Sequence, residues 1–190
     1  MKTSLTDTVR TALFTALMVV GTIIRIPPVG PVPIVLTNLF VLLSGLFLGP
    51  LKGLSSVLVY LFLGAVGLPV FSGGGGIALF AGPTGGFLFG YLLGAFITGS
   101  IARILPRGFV SDLLALIIGA FVIYIPGISW LMLSLDIEFQ AAFKTGFLPF
   151  LLPDLIKIAV GCSVASVLRK RFPELFPFLS GWNKQNNANH

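Results

Sequence analysis

Between Phe147 and Leu168 the sequence carries two charged side chains, Asp154 and Lys157, in a run whose only other polar side chains are Cys162, Ser163 and Ser166. Roughly 20 apolar residues are enough to cross the ~30 Å hydrocarbon core of a bilayer as a helix. At the spacing i, i+3 the two charges share one helical face. An ionisable group at that depth costs about 3 kcal/mol on insertion scales, so it faces a bundle interior or a water-filled cavity. One reading is a mutually neutralising pair that holds two helices together. The other, favoured for ionisable groups inside a membrane, is a functional polar site. With a rise of ~1.5 Å per residue, Asp154 lies about 10 Å and Lys157 about 15 Å below the start of the helix. Pro153 lacks a backbone donor, which frees a carbonyl one turn earlier to accept from a ligand or a water.

Composition extends this reading to the whole chain. Of 190 residues, 56% are hydrophobic and 9% charged, and the mean hydropathy is +1.04. Such a chain cannot cover itself with a polar skin, so it reads as an integral membrane protein. The apolar residues come in long unbroken runs rather than short alternating segments, so the spans are helices rather than barrel strands. The expected fold is all-α, a single transmembrane domain over residues 1–190. Its spans fall at residues 11–25, 34–49, 53–71, 83–104, 111–133 and 147–169, with a polar cytoplasmic tail at 172–190.

Several segments interrupt or shape these spans. The charged start and apolar core of the first span suit a signal peptide, but Asp7 and Arg10 lie late and no small-x-small cleavage site follows, so a retained helix is expected. Ala12 and Ala16 form a small-xxx-small pair on one face of it, suited to close packing within the chain or against a partner helix. Prolines 27, 28, 31 and 33 make the next stretch a stiff extended loop. Gly73 to Gly76 form a four-glycine loop, permissive of unusual backbone conformations. Gly86, Gly90 and Gly94, four residues apart, form a stripe for close helix packing. The glycine run before that helix lacks the Lys-Ser or Lys-Thr of a phosphate cradle and follows no strand, so nucleotide binding is rejected. Asp136, Glu138 and Lys144 are assigned to a loop leading into the last span.

With six spans, Lys2, Arg10, Lys52, Arg103, Arg107, Arg169, Lys170 and Arg171 fall on one side, and Arg25 and Lys144 on the other. Positive charge stays inside, so both termini are expected in the cytoplasm. The Pro-rich loop, the glycine loop and the Asp154 end of the last helix then converge on the external half. The net charge of +6 comes from span ends and forms no basic patch with interleaved aromatics, which argues against nucleic acid. One His, His190, and one Cys, Cys162, leave no metal site and no Cys–His catalysis, and no cofactor is expected. Cys162 reads as a small packing residue.

These motifs, in this order, resemble the BioY family, the biotin-binding substrate-capture (S) components of energy-coupling factor (ECF) transporters. The resemblance rests on Gly30-Pro-Val-Pro-Ile34, Leu42-Leu-Ser-Gly45 with Leu48-Gly49-Pro50, Gly64-Ala-Val-Gly-Leu-Pro-Val-Phe71, Gly82-Pro-Thr-Gly-Gly86 and Pro149 to Lys157, and it covers nearly the whole chain. It implies a six-helix bundle of the ECF S-component type, which binds biotin near the external face and delivers it to a transmembrane coupling (T) subunit powered by two separate ATPase subunits. The family's Asp-x-x-Lys falls on Asp154 and Lys157, and its Ala-xxx-Ala coupling motif on Ala12 and Ala16, which makes that face a partner-helix contact. Thr37 stands where many members carry Gln, Gly74 lies in the glycine loop where some carry Asn, and Leu88 is near where some carry Arg. Tyr124, with Trp130, offers apolar wall with a polar edge. Asp154 can accept from a ureido N–H, and Lys157 or Arg25 can pair the acid tail. A stand-alone facilitator for biotin or a related small acid is the alternative, and a membrane enzyme a more distant one.

Overall fold

A computed structural model describes residues 5–26, 32–172 and 178, except for the side chains of residues 25 and 26. Six long helices make the bundle: α1 (Leu5–Ile23), α2 (Thr37–Leu48), α3 (Pro50–Ala65), α5 (Gly85–Ile104), α6 (Phe109–Leu135) and α8 (Leu148–Arg171). A four-residue α4 (Ala78–Ala81) precedes α5. The short strands β1 (Arg25–Ile26) and β2 (Ile34–Val35) pair antiparallel on either side of the Pro-rich stretch, with Arg25 opposite Val35. Most of the expected polar tail, 173–177 and 179–190, lies outside the described residues.

The segment expected to be a loop before the last span contains a further helix, α7 (Phe139–Gly146). Its buried residues are Ala142 and Gly146, one turn apart, so this short amphipathic helix docks a single small-residue edge against the bundle. Asp136, in the left-handed region at φ 51°, ends α6 and turns the chain into it.

The outward faces are as apolar as the interior: Phe121, Ile125, Leu152, Ile156 and Val160 are all exposed. Only a lipid surround makes that surface stable, and the chain is a multi-pass membrane protein. α5, α6 and the α7–α8 run are long and apolar enough to cross a membrane, whereas α2 and α3 are shorter apolar helices. α2 is the centre of the bundle, with every residue from Val41 to Leu48 buried, as an all-round apolar helix requires.

Backbones approach closely where glycines permit it. A Cβ on Gly45 of α2 would run into the Ala95 carbonyl of α5, one on Gly53 of α3 into the backbone of Gly45, and one on Gly99 of α5 into Pro50. Gly86, Gly90 and Gly94 likewise bring α5 against Pro126, Ile123 and Gly119 of α6. Gly49, at φ 83°, turns the chain sharply from α2 into α3, a conformation that disfavours any side chain.

The end of the bundle where α6 begins is closed by charge. Asp112, 1% exposed, pairs with Arg169 from the last turn of α8, and Arg107 stacks its guanidinium 4.7 Å from the Phe178 ring centre. Burial, and secondarily the like charge of Arg169, push Arg107 down to about 10.

The Gly45 contact generates a test of the packing. Gly45→Val should lower the melting temperature in detergent by the equivalent of about 1–3 kcal/mol or more, because neither backbone can retreat. Gly108→Ala, where a Cβ meets open space, is the control and should shift it far less. Equal shifts would mean that α2 and α5 are not in backbone contact.

Candidate functional site

A recess of about 760 Å³ including its open mouth is lined by residues of α1, α2, α3, α5, α6 and α8, the segment around β2, and the loop after α3. Its walls are largely aromatic. Phe71 meets Tyr60 and Phe80 edge to face, at 5.3 and 5.6 Å between centroids. Phe87 meets Tyr124 in the same manner at 6.1 Å. The Phe71 ring lies so close over Gly64 that no Cβ would fit there.

Two polar poles interrupt this wall. The first is Asp154, 6% exposed. Its Oδ2 accepts from the Tyr124 hydroxyl at 2.5 Å and its Oδ1 from Lys157 Nζ at 2.9 Å. Asn38 Nδ2 donates to both oxygens at 3.0 Å, and the Asn38 amide is itself oriented by the Leu39 N–H donating to its Oδ1. Lys157 also donates to the Val35 carbonyl at 2.9 Å, so the ammonium ties α8 to β2. Three helices, α2, α6 and α8, thus converge on one carboxylate, and β2 joins them through Lys157, which keeps a buried charge hydrogen-bonded and paired.

The second pole is a set of hydroxyls. Thr22 of α1 and Thr37 of α2 are 2.8 Å apart, Thr22 and Tyr60 of α3 are 3.1 Å apart, and Tyr60 donates to the Val70 carbonyl at 3.1 Å. This chain links three helices to the loop that carries the glycines.

The residues singled out in the sequence separate into groups. Asp154, Tyr124 and Thr37 line the recess. Lys157 stands behind Asp154, in a smaller recess shared with Asn38. Gly74 is not among the lining residues: it bridges Phe71 through two 2.9 Å backbone hydrogen bonds at φ 110°, and its neighbours Ser72 and Gly73 face the recess. Trp130 also stands elsewhere, donating to the Gly82 carbonyl at 3.0 Å and clamping the turn into α5. The Arg25 side chain lies outside the described residues. Ala12 and Ala16 are exposed on the outer face of α1, whereas Thr15 turns inward to the Ser56 carbonyl at 2.9 Å. Cys162 is buried and packs small, with Sγ 3.3 Å from the Phe109 carbonyl.

Asn38, Tyr60 and Tyr91 are wall residues that the sequence reading missed. Asn38 had a signal, since it is an amide inside an apolar run, as Asp154 is a carboxylate inside one. No Lys or Arg side chain lines the recess among the described residues, and none of their His, Cys, Asp and Glu side chains group as metal ligands.

Known proteins match this arrangement along most of the chain. Residues 1–174 match the BioY family. The chain is 45% identical over 158 residues to a protein of Pyrococcus horikoshii named as a probable biotin transporter BioY, covering 83% of this chain and 93% of that one. It is 42% identical over 162 residues to the biotin transporter BioY of Thermotoga maritima, covering 85% and 95%. A crystal structure described as the S-component for biotin from an ECF-type ABC transporter superposes with a TM-score of 0.82 at 30% identity, over 90% of this chain and 95% of that one. With a match over this length, and relatives this similar across nearly their full lengths, the chain belongs to the BioY family.

Proposed function

We propose that this protein is the biotin-capturing subunit of an ECF-type vitamin importer, which hands biotin to a transmembrane coupling subunit driven by separate ATPases. The observation that carries the reading is a buried carboxylate in the wall of a recess lined by aromatic and hydroxyl side chains, in a chain of the BioY family. The relatives' names, and the S-component whose fold this chain shares, supply the ligand and the partners. Those relatives are transporters by name, which supports a carrier rather than an enzyme.

Biotin presents a ureido ring with two N–H donors and a carbonyl, an apolar ring and chain, and a carboxylate. Asp154 has about four acceptor positions. Tyr124 and Lys157 each hold one oxygen, whereas Asn38 is shared between two at 3.0 Å. Asn38 is therefore the partner that yields a lone pair to a ureido N–H with least loss. Lys157 pairs with Asp154 from behind, and Tyr124 orients it. Thr37 belongs to the hydroxyl set with Thr22 and Tyr60, and the aromatic side chains take the apolar part of the ligand. Gly74 shapes the loop over the recess, and a cation, Lys157 or Arg25, pairs the acid tail. The protein is read as a single domain in a prokaryotic plasma membrane with both termini in the cytoplasm, following the distribution of Lys and Arg.

Two measurements test this. Asp154→Asn preserves size but removes an anionic acceptor, and should weaken biotin by about 1–3 kcal/mol in calorimetry. Lys157→Ala should weaken it as well, with a lower melting temperature because an unpaired carboxylate remains. Unchanged affinity in both would make the pair purely structural.

The outer face of α1 generates the second test. Replacing Ala12 and Ala16 together by Trp should leave biotin affinity near wild type while ending co-purification with the coupling subunit and uptake in cells. If assembly and transport persist, the partner meets another face.

A further inference from the structure

We propose that Tyr91 is a ligand-binding residue whose hydroxyl donates to the ureido carbonyl oxygen of biotin, making the recess specific for a ring that carries an acceptor beside its N–H donors. The inference rests on the biotin reading and adds to it the residue that reads the other half of the ureido group.

The argument is an inventory of donors. A cyclic urea sets a carbonyl acceptor beside each N–H donor, so a wall that recognises it needs an acceptor and a nearby donor. Asp154 is the acceptor. The buried donors around it are committed: Tyr124 to Asp154, Lys157 to Asp154 and Val35, and the Asn38 amide to both Asp154 oxygens, of which it keeps one when it yields the other to the ligand. At the opposite pole Tyr60 donates to Val70, and Thr22 and Thr37 have each other and the Met18 carbonyl.

Tyr91 differs from all of these. It lines the recess from α5, it is 7% exposed, and its hydroxyl meets no hydrogen-bond partner among the described residues. The hydroxyl oxygen is not among the fully buried atoms left without a partner, so it opens to the recess, where a ligand acceptor can take its proton as a hydrogen bond. Position in the chain supports the role. Tyr91 follows Phe87 by one helical turn, and Gly90 and Gly94 beside it hold α5 hard against α6, so the ring is presented by a helix with little freedom to withdraw. A site that hydrogen-bonds a substrate group rejects analogues lacking that group far more strongly than an apolar site does.

The test compares Tyr91→Phe with wild type, using biotin and 2-thiobiotin, in which a thiocarbonyl, a weak hydrogen-bond acceptor, replaces the ring carbonyl. Biotin affinity should fall about tenfold in Tyr91→Phe, thiobiotin affinity should stay within about twofold, and the melting temperature of the unliganded protein should not fall. Unchanged biotin affinity would overturn the assignment, and so would an equal loss for both ligands, which would place the hydroxyl at the tail or in packing. Should Tyr91→Phe not fold, Tyr91→Met is the second variant, with the same expected ratio between ligands. If the wild-type protein itself binds no biotin, the proposed function fails first, and that outcome is distinct from failure of the Tyr91 assignment.

Discussion

A carboxylate buried in the middle of a membrane bundle must be held by other groups or give up its charge, and much of this architecture follows from how Asp154 is held. Its partners come from α2, α6 and its own helix, and through Lys157 from β2. Each contact is modest alone. Together they offset a desolvation penalty of several kcal/mol and help pin α8, whose other buried residues are Phe150, Ile158, Gly161, Cys162 and Ala165. The network also explains why a polar amide and a phenol are tolerated beside it. Where the charge is fixed, neighbouring polar groups find a partner, and the site remains ordered while still open to a recess.

The short helices and the recess are the same feature seen twice. α2 has 12 residues, about 18 Å at 1.5 Å per residue, too short to cross the hydrocarbon core. β2 precedes α2 and a Gly-rich loop follows α3, and residues of both segments line the recess. Irregular backbone inside a bilayer survives only when it is buried in protein or lines a wet cavity. Here Val35 gives its carbonyl to Lys157 and Val70 gives its own to Tyr60. The chain leaves helical geometry next to the cavity, and cavity side chains satisfy the backbone groups that this exposes.

Long-range features of this kind are only partly legible in a sequence. Apolar run length, the glycine stripe of α5 and the charge pair of α8 announce themselves because each departs from local composition. α7 does not, since eight residues with Glu138 before them and Lys144 near their end resemble a polar connection, and only docking through Ala142 and Gly146 makes them a helix. Asn38 escaped because its role is defined by Asp154, which lies 116 residues away. Trp130 misled in the opposite direction. An aromatic with a polar edge looks like cavity wall, but its N–H found the Gly82 carbonyl instead. Spacing reveals which face a residue shares with its neighbours, and says nothing about which distant group completes its hydrogen bonds.

α1 shows how such completion joins distant surfaces. Its outer face presents Ala12 and Ala16, and its inner face carries Thr15 against α3 and Thr22 at the recess. Thr22 lies six residues beyond Ala16, about 9 Å along the helix axis. α1 therefore cannot move as a rigid body relative to α3 without breaking Thr15–Ser56 and Thr22–Tyr60 together, and the second of these continues through Tyr60 to Val70 beside the glycine loop. A helix that approaches α1 from outside acts on a rod whose other side is hydrogen-bonded to the cavity floor. Any displacement it causes is opposed by those bonds, and by reciprocity any ligand that tightens them resists the displacement in turn.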